Sequence, residues 1–539
     1  MFFNKGTCCC KNPYCVVPFS KKNLYFIVRK STLATLECIE NKAQLEYIFS
    51  YATRMEAQTI IVEGNYIDKS YLEDYSAYYV KCFKKYQREV NRIHFFKNVF
   101  TKEDFDNILD NKLDDDIKRL QDSYIGFTTI KKLPETFIGK TCLRSLEAEG
   151  HRHFATLRTY EVNLFGIDLK IEALAYQEQD STVCACATSS LWSIFHSTGK
   201  LFQHPIPSPV EITKIATDHV SSDTRIFPNK SLNLKMIAQG IKNIGLEPYK
   251  IQIDNINTLK ASVYAYLKAN IPMLMTFMLL NKQEQETLSI GHAVAVIGYN
   301  MFNDETEHFS PFKLKAFDIN KIYVHDDQVG PYARMEILSD EKGTAVLSTS
   351  FDKDLKTQNE PYWSLPFALS IPLYKNIRIP FDNIFGHTFT FNSILNYFSK
   401  ELDLNWDFEW DIYLQSKKQL KSYILNNEYN NVINPKGILT KSLPSYIWCC
   451  EIILNGELVL KVLFDATDID SNLNFIDVIK YKNANKNAFY DIFVDLCRKI
   501  YEFDTQTITN QFICGFSSLA NYDSQDINEK NISVMQLVH

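Results

Sequence analysis

Gly291-His292-Ala293-Val294-Ala295-Val296-Ile297-Gly298-Tyr299 is a run of small and β-branched residues opened by a histidine. Such a run reads as a strand. A polar ring at its head is held rigidly while its far edge faces a cleft, which is the position a general base needs. Among the eleven histidines of the chain, His292 stands out for this reason.

The next strand, Ile322-Tyr323-Val324-His325, ends in Asp326-Asp327-Gln328. That ending puts a carboxylate at the sheet edge, where it can fix the tautomer of the base. Upstream, the polar loop Gln177-Glu178-Gln179-Asp180-Ser181-Thr182 runs into Cys184-Ala185-Cys186-Ala187-Thr188-Ser189-Ser190-Leu191-Trp192, a helix expected to end near Gly199. A thiol becomes a useful nucleophile when a helix N-terminus or an adjacent imidazolium lowers its pKa. Cys186 has the helix start and His292 is the imidazole the fold would bring to it. Cys184 is the alternative nucleophile. On one helical turn the two cysteines point about 200° apart, so only one can face the cleft. Cys186 is favoured, because the small residues after it pack under a nucleophile. Gln179, seven positions before Cys186 and five before Cys184, is the candidate amide donor to an oxyanion.

Gln179, Cys186, Gly291-His292-Ala293-Val294 and Asp326, in that order, resemble the papain-like cysteine peptidases, and within them the peptidase-like domains related to bacteriocin leader processing. Gly245-Leu246 after a helix, and Leu259-Lys260 leading through Leu267 to Ile271-Pro272-Met273, resemble the intervening segments of that family. The resemblance spans residues 151–335 of 539. It implies a helical half and an antiparallel sheet half. Its chemistry would be amide hydrolysis through a Cys-His-Asp triad: Cys186 (or Cys184) as nucleophile, His292 as base, Asp326 orienting the ring and Gln179 holding the oxyanion. The substrate would be a protein or peptide, and no cofactor or metal is required. The same apparatus deamidates glutamine or transfers an acyl group, and an inactive version would serve as a binding module.

Within that segment and on both sides of it the chain reads as α+β. Helices expected at Pro209–His219, Leu232–Ile244 and Thr258–Ala269 precede most of the strands, namely Tyr249–Ile253, Met273–Phe277, His292–Tyr299 and Ile322–His325. Residues 1–150 form a mixed N-terminal region with a strand at Thr59–Glu63. From Leu72, apolar residues at Tyr75, Tyr79, Cys82, Tyr86, Val90 and Ile93 predict one long helix, and Lys102–Leu113 predicts a second, capped by Thr101. Residues 336–539 form an α+β C-terminal region. Strands Leu443–Leu454 and Glu457–Phe464 flank Asn455-Gly456, a pair suited to a type I′ turn. Helices are expected at Phe391–Leu402, Lys417–Asn426 and Ala488–Phe503.

Composition narrows the function classes. With 45% hydrophobic and 23% charged residues the chain is globular, and its length predicts two to four domains. A net charge of -6 provides no field for nucleic acid or an anionic membrane. The basic run Lys81–Lys97 reads as a solvated helix face. No segment approaches the ~20 apolar residues of a membrane span, and Met1-Phe2-Phe3-Asn4-Lys5 lacks the order of a secretion signal, so a cytoplasmic location is expected. Thirteen cysteines, an odd number with several adjacent, argue against a disulfide framework. Cys8, Cys9, Cys10 and Cys15 lack a CxxC pair and a nearby histidine, and His151 and His153 lack a third ligand, so no metal site is expected. Asp465-Ala466-Thr467-Asp468-Ile469-Asp470 reads as an acidic turn closing a strand. Nothing in the sequence sets an oligomeric state.

Overall fold

The computed structural model describes residues 13–482 apart from 112, 147–151, 181, 219–225, 228–230, 282–286, 302–311, 340–344, 350–361, 402 and 470–473. The chain is mixed α+β, with thirteen α-helices and several antiparallel sheets among the described residues. It divides into two compact units. The first comprises Met1–Leu259, Asn270–Phe302 and Ile319–Lys375, and the second comprises Lys260–Ala269, Asn303–Asp318 and Asn376–His539. Among the described residues, no helix is long and apolar enough to cross a membrane.

The first unit opens with β1 (Tyr14–Pro18), α1 (Lys21–Ser31), α2 (Leu36–Glu40), α3 (Ala43–Arg54), β2 (Thr59–Tyr66) and α4 (Lys69–Ala77). There follow β3 (Val90–Phe96), α5 (Lys102–Asn111), α6 (Asp114–Ser123), β4 (Tyr124–Ile130) and β5 (Ile138–Leu143). Strands β1 to β5 pair antiparallel in chain order. Side-chain caps start the helices: Ser20 Oγ accepts from Asn23 N at 3.2 Å and Asp68 Oδ1 from Tyr71 N at 2.9 Å.

The long helix predicted from Leu72 does not form. α4 stops at Ala77, a single 3₁₀ turn covers Tyr79–Lys81, and Val90 and Ile93 belong to β3, in register with Tyr66 and Val62 of β2. The helical spacing of the tyrosines arises because Tyr71, Tyr75, Tyr79 and Tyr86 fold back on one another as a cluster with Val90 and Leu133. The basic run is therefore solvated as expected at Lys81, Lys84, Lys85, Arg88 and Lys97, but it is not a helix face, and Arg92 and His94 are buried in β3.

The unit continues through β6 (Arg152–His153) and the hairpin β7 (Arg158–Leu164) and β8 (Ile167–Ala173), whose turn Phe165-Gly166 takes positive φ at both residues. Next come α7 (Cys186–Phe202), α8 (Pro209–Thr217), α9 (Leu234–Asn243), β9 (Glu247–Gln252), α10 (Ile256–Leu267), which from Lys260 onward belongs to the second unit, β10 (Met273–Asn281) and β11 (Thr287–Met301). After β12 (Lys313–Leu314), which lies in the second unit, the strands are β13 (Ile319–Asp326), β14 (Gly330–Ser339), β15 (Ala345–Thr349) and β16 (Tyr362–Leu373). They form a sheet in the order β10-β11-β13-β14-β15-β16-β9, with β6 added to β11. Because β16 also pairs with β10, six strands close into a ring. The buried face of α7 packs against β11, and one continuous core joins Trp192 and Phe195 of α7, Ala293 and Ala295 of β11 and the apolar residues of β1 to β5.

In the second unit β12 pairs parallel with β17 (Phe408–Ser416), and the sheet continues antiparallel through β18 (Tyr446–Leu454), β19 (Glu457–Asp465) and β20 (Phe475–Lys480). The expected Asn455-Gly456 hairpin joins β18 to β19, with φ of 51° and 82°. α11 spans Phe381–Glu401, α12 spans Lys417–Tyr423 behind a Ser416–Gln419 capping box and continues into a π-type turn at Ile424–Glu428, and α13 spans Pro435–Thr440. Asp465 Oδ1 accepts from Thr467 N at 2.6 Å, closing β19 in a turn. The helix expected at Ala488–Phe503, together with Cys8, Cys9, Cys10, His151 and Asp470, lies outside the described residues.

Candidate active site

His292 is positioned by β11, which runs between β10 and β13. Its register partner on β10 is Phe277, whose ring meets the imidazole edge-on with centroids 5.3 Å apart. Asp326 is the last residue of β13. There Gln328 N donates to its Oδ1 at 3.0 Å and Val329 N to its carbonyl at 3.0 Å, so the turn holds the carboxylate in place. The same Oδ1 lies 2.9 Å from His292 Nε2. With Nε2 engaged by the carboxylate, Nδ1 is the ring atom left for a thiol, and Cys186 lies close enough to this imidazole to help raise its pKa.

Cys186 is the first residue of α7, and Ala185 before it has no side-chain oxygen to cap the helix. The unpaired N–H groups of the first turn present the positive end of the helix dipole beside the sulfur. The helix is tied down close by: Ser190 Oγ donates to Ala293 O on β11 at 3.0 Å, and Ser189 Oγ to Gln177 O at 2.7 Å. Small buried residues from Ala187 to Ser190 allow this approach.

Burial alone would pull the His292 pKa down. The charge and hydrogen bond of Asp326, the Cys186 contact and the charge of Asp327 together outweigh burial and raise it well above the ordinary histidine value.

The other sequence candidates are placed differently. Cys184 is not on the helix at all. It sits in an isolated β-bridge with Asp180, packed against Val183 and Val210, so the helical-turn geometry expected for the cysteine pair does not apply. Burial and the nearby Asp74 and Asp180 carboxylates push its thiol well above the ordinary range. Gln179 is half-buried on the loop between these elements. Two residues upstream, Gln177 is buried with its Nε2 lacking a hydrogen-bond partner, and its backbone is held to the first turn of α7 by Ser189.

Asp327 is the residue that the sequence reading passed over. Its carboxylate is 2% exposed, neither oxygen has a hydrogen-bond partner, and Oδ1 lies 3.7 Å from His292 Nε2. Burial pushes its pKa up to about 7 against the pull of the His292 charge, and the Asp326 charge adds to the rise. Its backbone carbonyl accepts from Gln44 Nε2 at 3.0 Å and from Tyr176 OH at 3.2 Å. The Asp326-Asp327 doublet was the only signal in the sequence.

No family model matches the chain. A search of curated proteins finds no relative.

Proposed function

We propose that this chain is a papain-like thiol hydrolase that cleaves an amide bond of a protein or peptide, with Cys186 as nucleophile, His292 as acid and base, and Asp326 as the group that orients the ring. The observation that carries this reading is the Cys186–His292–Asp326 chain of contacts, begun at an uncapped helix N-terminus and ended at a buried carboxylate. In the reaction the Cys186 thiolate attacks the carbonyl carbon, and the His292 proton passes to the departing amine. Water, deprotonated by His292, then releases the acyl group from sulfur. The oxyanion donor comes from the loop before α7. Gln179 is the candidate from sequence, and the unpartnered, buried Nε2 of Gln177 supports Gln177 as a second.

Labelling of the folded chain with chloroacetamide at pH 7, mapped by mass spectrometry, tests this. Cys186 is expected to react at least about tenfold faster than any other thiol, and His292→Ala to abolish the difference. Slow, uniform labelling of all thiols would overturn the reading and leave a binding module. If Cys186 is activated, release of ammonia from a glutamine-containing peptide without backbone cleavage would make the enzyme a deamidase instead of a peptidase.

A further inference from the structure

The hydrolase chemistry uses one carboxylate, yet two face the same ring nitrogen. His292 Nε2 lies 2.9 Å from Asp326 Oδ1 and 3.7 Å from Asp327 Oδ1. Among the described residues, these three side chains form the one cluster of His, Cys, Asp and Glu whose ligand atoms all fall within 4.8 Å of one another. All three are buried, and both oxygens of Asp327 are without a partner. Asp327 thus meets the His292 ring as an ion pair at 3.7 Å while neither of its buried oxygens has a hydrogen-bond partner.

We propose that His292, Asp326 and Asp327 form a binding site for a divalent cation of the zinc class, and that the ion acts as a reversible inhibitor of the thiol site. The spacing supports this. Tetrahedral zinc with Zn–N and Zn–O bonds of 2.0 to 2.2 Å holds its donor atoms about 3.4 Å apart. The two nitrogen-to-oxygen distances, 2.9 and 3.7 Å, bracket that value, and all three donor atoms lie within 4.8 Å of one another, so modest side-chain shifts would bring them to three of the four corners. Charge supports it too, since a neutral imidazole and two carboxylates carry a charge that one divalent ion cancels. Calcium and magnesium are disfavoured, because they take six or more oxygen ligands and the cluster offers three donors, one of them nitrogen. On binding, the ion takes the Nε2 lone pair, the Nε2 proton leaves to solvent, and the hydrogen bond to Asp326 is replaced by a metal bond. With Nε2 bound to the ion, the ring can no longer carry a proton on both nitrogens, which proton transfer to the departing amine requires.

The inhibitory consequence rests on the Cys186–His292 reading, whereas the binding does not, and the experiment keeps them apart. Zinc affinity of the full chain is measured by competition with a chromophoric chelator. The same protein is then loaded with cobalt for visible spectroscopy. One ion is expected to bind, with the d–d bands of a tetrahedral nitrogen and oxygen site and no sulfur-to-cobalt charge-transfer band. Cys186→Ala should retain the affinity, and Asp327→Asn should lose at least about tenfold, the scale of loss seen even for outer-shell partners of a metal. Zinc should also slow chloroacetamide labelling of Cys186 in the wild type, with recovery on adding EDTA. Absence of zinc binding, a strong charge-transfer band, or affinity lost in Cys186→Ala but kept in Asp327→Asn would each overturn the site. Binding as proposed, with a Cys186 no more reactive than other thiols, would instead overturn the hydrolase reading alone. The cobalt spectrum needs no variant, so it decides the ligand set even if Asp327→Asn fails to fold.

Discussion

Cys184 and Cys186 are separated by a single alanine, and their surroundings make them opposite reagents. The first is buried against Val183 and Val210 beside Asp74 and Asp180, so its thiolate is costly. The second begins α7, half-buried beside the His292 ring. Cys184→Ala is therefore expected to leave the labelling rate of Cys186 within about twofold, and Cys186→Ala to remove the fast phase altogether. Asp326→Asn, which keeps the shape but removes the charge that holds the His292 pKa up, is expected to slow that labelling by about tenfold or more at pH 7. A fast phase that survives in Asp326→Asn would mean that Asp327 substitutes for its neighbour. The glutamines are separated by the same logic. For a peptide amide that the wild type cleaves, alanine at the true oxyanion donor lowers turnover by about 10²-fold or more while leaving alkylation unchanged. The unpartnered Nε2 predicts that outcome for Gln177, and parallel assay of Gln179→Ala checks it.

At the scale of elements, β11 carries most of the burden. It pairs with β10 and β13, receives β6 at Tyr299 and Asn300, and supports α7 on its face. Gly298 sits where that crowding is greatest. A Cβ there would stand 2.6 Å from the His153 carbonyl oxygen and 2.8 Å from the Phe154 ring, and the backbone oxygen cannot swing aside. Gly298→Ala is expected to destabilise the first unit by about 1–3 kcal/mol, measured by chemical denaturation; a neutral result would mean that β6 is not held against β11 in solution. Ser190→Ala tests the helix contact separately. Losing the hydrogen bond to Ala293 O removes a buried tie between α7 and β11 and should cost about 0.5–1.5 kcal/mol.

At the scale of the whole molecule, the first unit keeps several histidines neutral in its interior. Burial lowers His94 from 6.5 to about 4, and lowers His196 of α7 well below its ordinary value. As pH falls through 6.5 the unfolded chain takes up these protons before the folded one does. The contribution to stability is thus complete above pH 6.5 and is lost as pH falls toward 4. For His94 alone the loss amounts to about 3 kcal/mol. Denaturation midpoints are expected to drop steadily between pH 6.5 and 4, and to drop less steeply in His94→Gln. An unchanged slope in that variant would show that His94 takes up its proton without unfolding.

The sequence by itself determined the elements that local chemistry dictates: the β11 strand, the helix start at Cys186, and the turn at Asn455-Gly456, whose residues accept positive φ. It also determined the order of Cys186, His292 and Asp326 along the chain. Tertiary structure alone decided what nearest-neighbour patterns do not encode. A three-and-four spacing of tyrosines became a folded-back cluster because Val90 and Ile93 are better buried in a sheet beside Tyr66 and Val62 than on a helix. Cys184 was withdrawn from the helix by its bridge to Asp180. Asp327 became a bare carboxylate beside His292 because β13 ends against β11 there, bringing together residues 35 positions apart in the chain. Burial and charge at that point depend on which strands meet, and strand partners are settled only when the whole sheet closes.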